Sequence, residues 1–450
     1  MPTTTVAYRS TVGLLWILAL WHSWECRGLF VDGSAFLVQI ARREWFFDFY
    51  DPRLFAMVLG QIPVIAAVFL GVTDLHFLAQ LLSLGLFALP TALYHLALMR
   101  VRHDALLLAT VMAAIGIVFM TTSFFIVGEY NTAFAIAITV TVRLMTAERR
   151  LSIADGAFLA AAGVLAVRTY EVMLYFGPLL AVMICWCIWR ATERPRIATL
   201  LHFLAACLFV GGMIVAANSL INPFSEDHLS RTAATVLDAW QNVQFDLTLL
   251  AALVIFVWAI VRPADLATRR PYLVAGFFLV LLVLSPLLVL SDTLVRPHAK
   301  SQYTARSIAG LVVATIVIVI WIYKSPLGDR IGMFKELRKP AAARRLLAFG
   351  CLMVLAVVPS DAYLTLEWRS YLQTVRTIVR TQPGVIAYES TPLSRPPLAM
   401  LVESWILPSQ SLALRSKRGD GIIAPPRDFN EWQPFPPTEP YPLGLFIWRD

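Results

Sequence analysis

The chain has 450 residues, 58% apolar and 15% charged, where soluble domains carry about 25% charged residues. Its mean hydropathy is +0.70, more apolar surface than a soluble core of this length needs, so a bilayer is the expected solvent. The net charge of +8 would suggest nucleic acid in a soluble protein. Here Lys and Arg gathered in cytoplasmic loops account for it, and no nucleic-acid partner is expected.

Crossing ~30 Å of hydrocarbon takes about 20 apolar residues. Arg9 before an apolar run resembles a signal peptide, but "WHSWECRG" lacks a small-residue cleavage pattern. Residues 11–29 are therefore read as an uncleaved first span. Ten more are expected near 75–98, 104–126, 130–147, 154–168, 171–190, 197–217, 245–262, 271–291, 304–323 and 345–360. The fold class is thus an all-α polytopic membrane protein with about eleven transmembrane helices.

Basic clusters fix the sides. They hold Arg100 and Arg102, Arg149 and Arg150, Arg190 to Arg196, Arg262 to Arg270, and Lys324 to Arg345. All fall on one side if the N-terminus is inside and the C-terminus outside. That assignment requires residues 53–72 not to cross; a twelve-span arrangement is the alternative. Gly60, Gln61 and Pro63 in the middle of this apolar stretch favour a broken or interfacial helix. Residues 30–73 are then one long outer loop with two amphipathic juxtamembrane helices, about 34–47 and 54–70. Residues 1–360 form the transmembrane domain, and 361–450, rich in proline, a small periplasmic domain opening with a helix near 362–381.

Of five cysteines, four lie in apolar runs, with no disulfide framework or metal-ligand spacing. Nor is there a phosphate-cradling Gly loop or other recognised catalytic motif.

Several outer-face residues are not explained by orientation, and charges at membrane depth are costly and usually mark a site. Asp32, in "VDGSAF", either caps the next helix or acts as a base at the membrane surface. Asp48 and Asp51 are weaker candidates; Asp51 before Pro52 reads as a turn residue. Glu129 sits in a very short outer loop, "VGEYN". In "VRTYEVM", Arg168, Tyr170 and Glu171 interrupt an apolar hairpin. Arg168 and Glu171 either pair with each other or the arginine holds a phosphate, whose oxygens match a guanidinium fork. In "VRPHAKSQYTARS", His298, Lys300, Tyr303 and Arg306 follow Arg296, and Lys300, Tyr303 and Arg306 recur every three residues on one helical face. Such a stripe suits a lipid phosphate or plain snorkelling. Asp227, His228 and Arg231 lie in a longer outer loop, where His228 reads as a surface residue. Arg143 is read as snorkelling from the cytoplasmic end.

This layout resembles the GT-C superfamily of integral-membrane glycosyltransferases. "FVDGSAFLVQIAR" is similar to the family's acidic stretch after the first span, and "YDPRLFAMVLGQIPVIAAVFLGV" to its proline-started helix before the second. The resemblance covers about residues 10–175. It implies transfer of a sugar from a polyprenyl-phosphate donor to a glycan or lipid acceptor, with inversion. Asp32 would be the general base and Glu129 the second acidic position. Arg168, Tyr170, His298, Lys300, Tyr303 and Arg306 would bind substrate. The chain has "DG" where the family has an acidic pair "DE", which leaves a divalent cation (Mg or Mn) open. The location implied is a bacterial inner membrane, with the site facing the periplasm. A transporter or lipid flippase is the alternative; it would place ionisable groups at mid-membrane, often between paired halves.

Overall fold

The computed structural model describes residues 3–125, 129–147, 149–222, 238–287, 297, 299–416 and 420–425. The chain is an all-α polytopic membrane protein. Among the described residues, the only strands are two three-residue segments, β1 (Val385–Ala387) and β2 (Ile422–Ala424), paired in parallel.

A helix stands at every expected span. These are α1 (Thr4–Trp24), α4 (Leu75–Val101), α5 (Ala105–Thr122), α6 (Tyr130–Met145), α7 (Ile153–Val167), α8 (Met173–Arg190), α9 (Arg196–Ile221), α10 (Val243–Val261), α11 (Arg270–Leu284), α12 (Arg306–Lys324) and α13 (Pro340–Thr381). Between α1 and α4 lie α2 (Asp32–Arg43) and α3 (Leu54–Phe69), where the two juxtamembrane helices were expected. Among the described residues, eight helices are long and apolar enough to cross a membrane, and α3 with its preceding turn is one of them. Helices α6, α7 and α11 are apolar but shorter.

Two expectations shift. The first helix starts seven residues earlier than predicted and ends at Trp24, leaving residues 25–31 as a turn. The tail helix expected at 362–381 is the far half of α13, which runs unbroken through Pro359 and across position 360. Proline inside a helix removes one backbone donor, and here neighbouring helices hold the rest of the 42 residues together.

Side-chain contacts set the helix directions. On α1 and α4, Tyr8 meets His95 and Ser23 donates to the Gln80 carbonyl, so the two run antiparallel. Arg100 donates to Thr146 and Lys324 pairs with Asp104 at 2.7 Å. Arg150 pairs with Glu193, and Arg338 donates to the Tyr323 carbonyl. The basic clusters therefore gather at one end of the bundle. At the other end lie the start of α6, the α7–α8 turn and the start of α12.

Helix α3 begins and finishes at that second end. Its Phe55 amide donates to the Arg168 carbonyl in the α7–α8 turn. After Phe69 the chain turns through Gly71 (φ +79°) straight into the start of α4. A Cβ on Gly85 of α4 would lie 1.9 Å from the Gly60 carbonyl oxygen, so α3 and α4 touch backbone to backbone. The outer part of α13 meets residues before α2, with Trp368 edge-on to Phe30 at 5.6 Å. The short helix α14 (Leu407–Leu414) packs on α2.

Candidate active site

The turn between α1 and α2 is tightly held. Gly28 N–H donates to Ser83 Oγ at 2.9 Å, and the Trp368 indole donates to the Cys26 carbonyl. Arg27 is fully buried. Its Nη1 lies 2.7 Å from Asp361 Oδ1, and Asp361 Oδ2 lies 2.7 Å from His22 Nε2. The Arg27 guanidinium also lies 4.2 Å over the Phe124 ring.

Strain accompanies this anchoring. Val31, the residue before Asp32, has φ +52°. A β-branched side chain in that region is an outlier that surrounding structure must enforce.

Asp32 occupies the first turn of α2 but does not cap it. The N-cap is Val31, without a side-chain cap bond. Among the described residues the Asp32 carboxylate makes no hydrogen bond, so the capping role open to it in the sequence is not filled. Burial pushes its carboxyl up to about 6; nearby Arg53 opposes this and Glu403 adds to it. Desolvation disfavours the charged form, and the arginine only partly offsets that.

Arg53 is the centre of the cluster. Its Nη2 lies 2.7 Å and its Nε 3.1 Å from Glu171 Oε1, and its Nη1 lies 3.6 Å from Glu129 Oε2. The guanidinium also lies 4.6 Å from the Tyr170 ring centre and 5.1 Å from that of Tyr50.

Glu129, just before α6, is buried, and its Oε2 has no hydrogen bond. Burial pushes its carboxyl up to about 8; Arg53 opposes the rise, while Glu171 and Asp32 add to it. The two candidate carboxyl groups are thus unlike each other near neutral pH: Asp32 is mostly charged, Glu129 mostly neutral.

The "RTYE" turn does not satisfy itself. Glu171 goes to Arg53, and Arg168 approaches Asp51 at 3.8 Å. Asp51 and Arg53 belong to a single turn of 3-10 helix, so two short segments over a hundred residues apart are cross-linked by crossed pairs. Tyr170 lies between Arg53 and Tyr130, edge-on to the latter ring, and burial raises its phenol further above the usual range.

On the opposite flank, Arg306 donates to the Tyr303 hydroxyl and lies over that ring. Its charge acts on Tyr130 and Tyr170, which places it against the same cluster. Lys300 pairs with Glu403 of the tail at 3.0 Å. Asp32, Glu129, Arg168, Tyr170, Lys300, Tyr303 and Arg306 are therefore gathered at the end of the bundle away from the basic loops. His298 lies outside the described residues, as do Asp227, His228, Arg231 and Arg296. Arg143 is not simply snorkelling; it pairs with Asp155 at 2.6 Å at the basic end.

Arg53 and Glu403 were not singled out by sequence reasoning. For Arg53 a signal existed: a cation directly before a 16-residue apolar helix. Glu403 sits in a proline-rich tail with no local pattern. Among the described residues no three His, Cys, Asp or Glu side chains stand close enough to hold a metal ion. The cation facing these carboxyl groups is Arg53. No family model, curated protein or solved structure matches the chain.

Proposed function

We propose that the chain is a membrane glycosyltransferase that moves a sugar from a polyprenyl-phosphate donor to a glycan or lipid acceptor, with Asp32 as general base. The observation that carries this reading is the Asp32 carboxylate. It is uncapped, partly buried, and tuned to about 6 beside an arginine and a neutral glutamic acid. A base works best with a pKa near the operating pH. Asp32 would take the proton of the acceptor hydroxyl as its oxygen bonds to the anomeric carbon. The bond from that carbon to the phosphate oxygen breaks, and single displacement inverts the centre.

The leaving phosphate gains charge and needs a preorganised cation. Arg306 fits best, since among the described residues it meets a tyrosine rather than a carboxylate. Lys300 is engaged by Glu403, and Arg168 has a long, exposed pairing that is worth little. Glu129, neutral at pH 7, would donate a hydrogen bond to a sugar or acceptor oxygen. If the basic end is cytoplasmic, the site faces the periplasm of a bacterial inner membrane.

One observation favours a transporter or flippase instead: the buried His22–Asp361–Arg27 cluster, since buried ions within a bundle often mark a transport path. Labelled sugar transfer from a polyprenyl-phosphate sugar pool in isolated membranes separates the readings. Transfer that is lost in Asp32→Asn supports the enzyme. Full transfer with Asp32→Asn overturns it.

A further inference from the structure

At the basic end, far from Asp32, the bundle forms a half-open cavity of about 290 Å³. Among the described residues its walls carry Arg143, Arg149, Arg150, Arg190 and Lys324 against one carboxylate, Asp155. Orientation in a membrane explains basic loops. It does not explain cations from one loop and three helices lining one hollow.

Three of the five are partly neutralised: Arg143 by Asp155, Lys324 by Asp104, and Arg150 by Glu193 in an exposed pair. Among the described residues Arg149 and Arg190 pair with no carboxylate. The Arg190 guanidinium instead lies 4.4 Å over the Trp186 ring, which also lines the cavity. His202, 3% exposed, completes the wall. Its Nδ1 is taken by the Ala198 carbonyl at 2.7 Å, leaving Nε2 for another partner.

We propose that this cavity is a phosphate site filled by the headgroup of an anionic phospholipid. Guanidinium forks match phosphate oxygens in pairs. The volume is at the small end for ligand pockets, enough for a phosphodiester and a glycerol. Trp186 packs on Trp321 at 5.9 Å, and Trp189 on the same helix is 73% exposed. Tryptophans concentrate at the headgroup level, and basic hollows between helices at the cytoplasmic side hold anionic headgroups. A lipid is therefore the source favoured over free phosphate.

The test is native mass spectrometry of the full chain, purified in neutral detergent and offered phosphatidylglycerol or phosphatidylcholine. One phosphatidylglycerol is expected to stay bound with at least a tenfold preference, weakened by high salt. The double variant Arg149→Gln/Arg190→Gln should lose that preference with its melting temperature in detergent unchanged. Arg190→Lys, which keeps the charge but not the fork, should lose part of it and guards against misfolding of the double variant. If inorganic phosphate displaces the lipid and protects the protein equally well, the lipid assignment is overturned. Equal binding of both lipids, or unchanged binding in both variants, overturns the site itself.

Discussion

Arg53 and Glu171 are joined by two hydrogen bonds to one carboxylate oxygen, 2.7 and 3.1 Å long, across 118 residues of sequence. Both side chains are largely buried. Breaking one partner of a buried pair leaves an uncompensated charge, at a cost of about 3–5 kcal/mol. Arg53→Ala and Glu171→Ala should each lower the melting temperature in detergent sharply. The double variant should cost less than their sum, with a coupling of about 2 kcal/mol. Additive effects would mean that the pair does not tie α3 to the α7–α8 turn.

Glu129 should make stability pH-dependent with a defined sign. Its carboxyl rises from the ordinary 4.5 to about 8 on folding, because burial outweighs Arg53. The folded state therefore holds a proton that the unfolded state releases, and stability falls as pH rises from about 4.5 to about 8. Thermal unfolding of Glu129→Gln should lack this slope. A wild-type protein whose stability rises across that window would place the charged form in the fold.

Much of this arrangement is legible in the sequence. Apolar run length located the helices, and the loop cations gathered at one end of the bundle as expected. Asp32, Glu129 and Arg306 stood out because charge is expensive there. What could not be read was pairing. Arg168 and Glu171 are three residues apart, which suggests a local pair, yet each chose a partner in the "DPR" turn. Long-range ion pairs depend on how the turn before α3 meets the α7–α8 turn, and sequence spacing carries none of that. Arg27 and Asp361 were missed for the same reason: their match becomes visible only when α13 lies against the turn after α1.

The cations near Asp32 should not be equivalent. Arg306 meets a tyrosine while Lys300 is engaged by Glu403, so the arginine is the one positioned for a phosphate. Losing a preorganised charge donor in a buried site costs about 10²–10³ in rate. Arg306→Gln should reduce sugar transfer by about that factor, and Arg306→Lys should restore little because the fork is gone. Lys300→Gln should cost far less. The reverse ranking would move the phosphate to the tail side of the site.

The placement of α3 gives the last prediction. Its composition permits it to cross a membrane, but its contacts start and finish it at the same end of the bundle. Phe55 is bonded to Arg168 at its start, and Trp45 lies 5.5 Å from Phe69 at its finish. Gly71, at φ +79°, then returns the chain to α4 in a turn that a larger residue would strain. A crossing helix would have to put Asp51 and Thr73 on opposite sides of the bilayer, and would also separate Arg53 from α4's start. Single cysteines in a chain freed of its five native ones should therefore label together at positions 51 and 73. Both should react with a membrane-impermeant reagent from the side where position 129 also reacts. Position 102, beside Arg100 at the basic end, should react only from the other side. Labelling of 51 with 102, and of 73 with 129 on the other side, would make α3 a true span, and would take Asp32 and Glu129 out of a shared site.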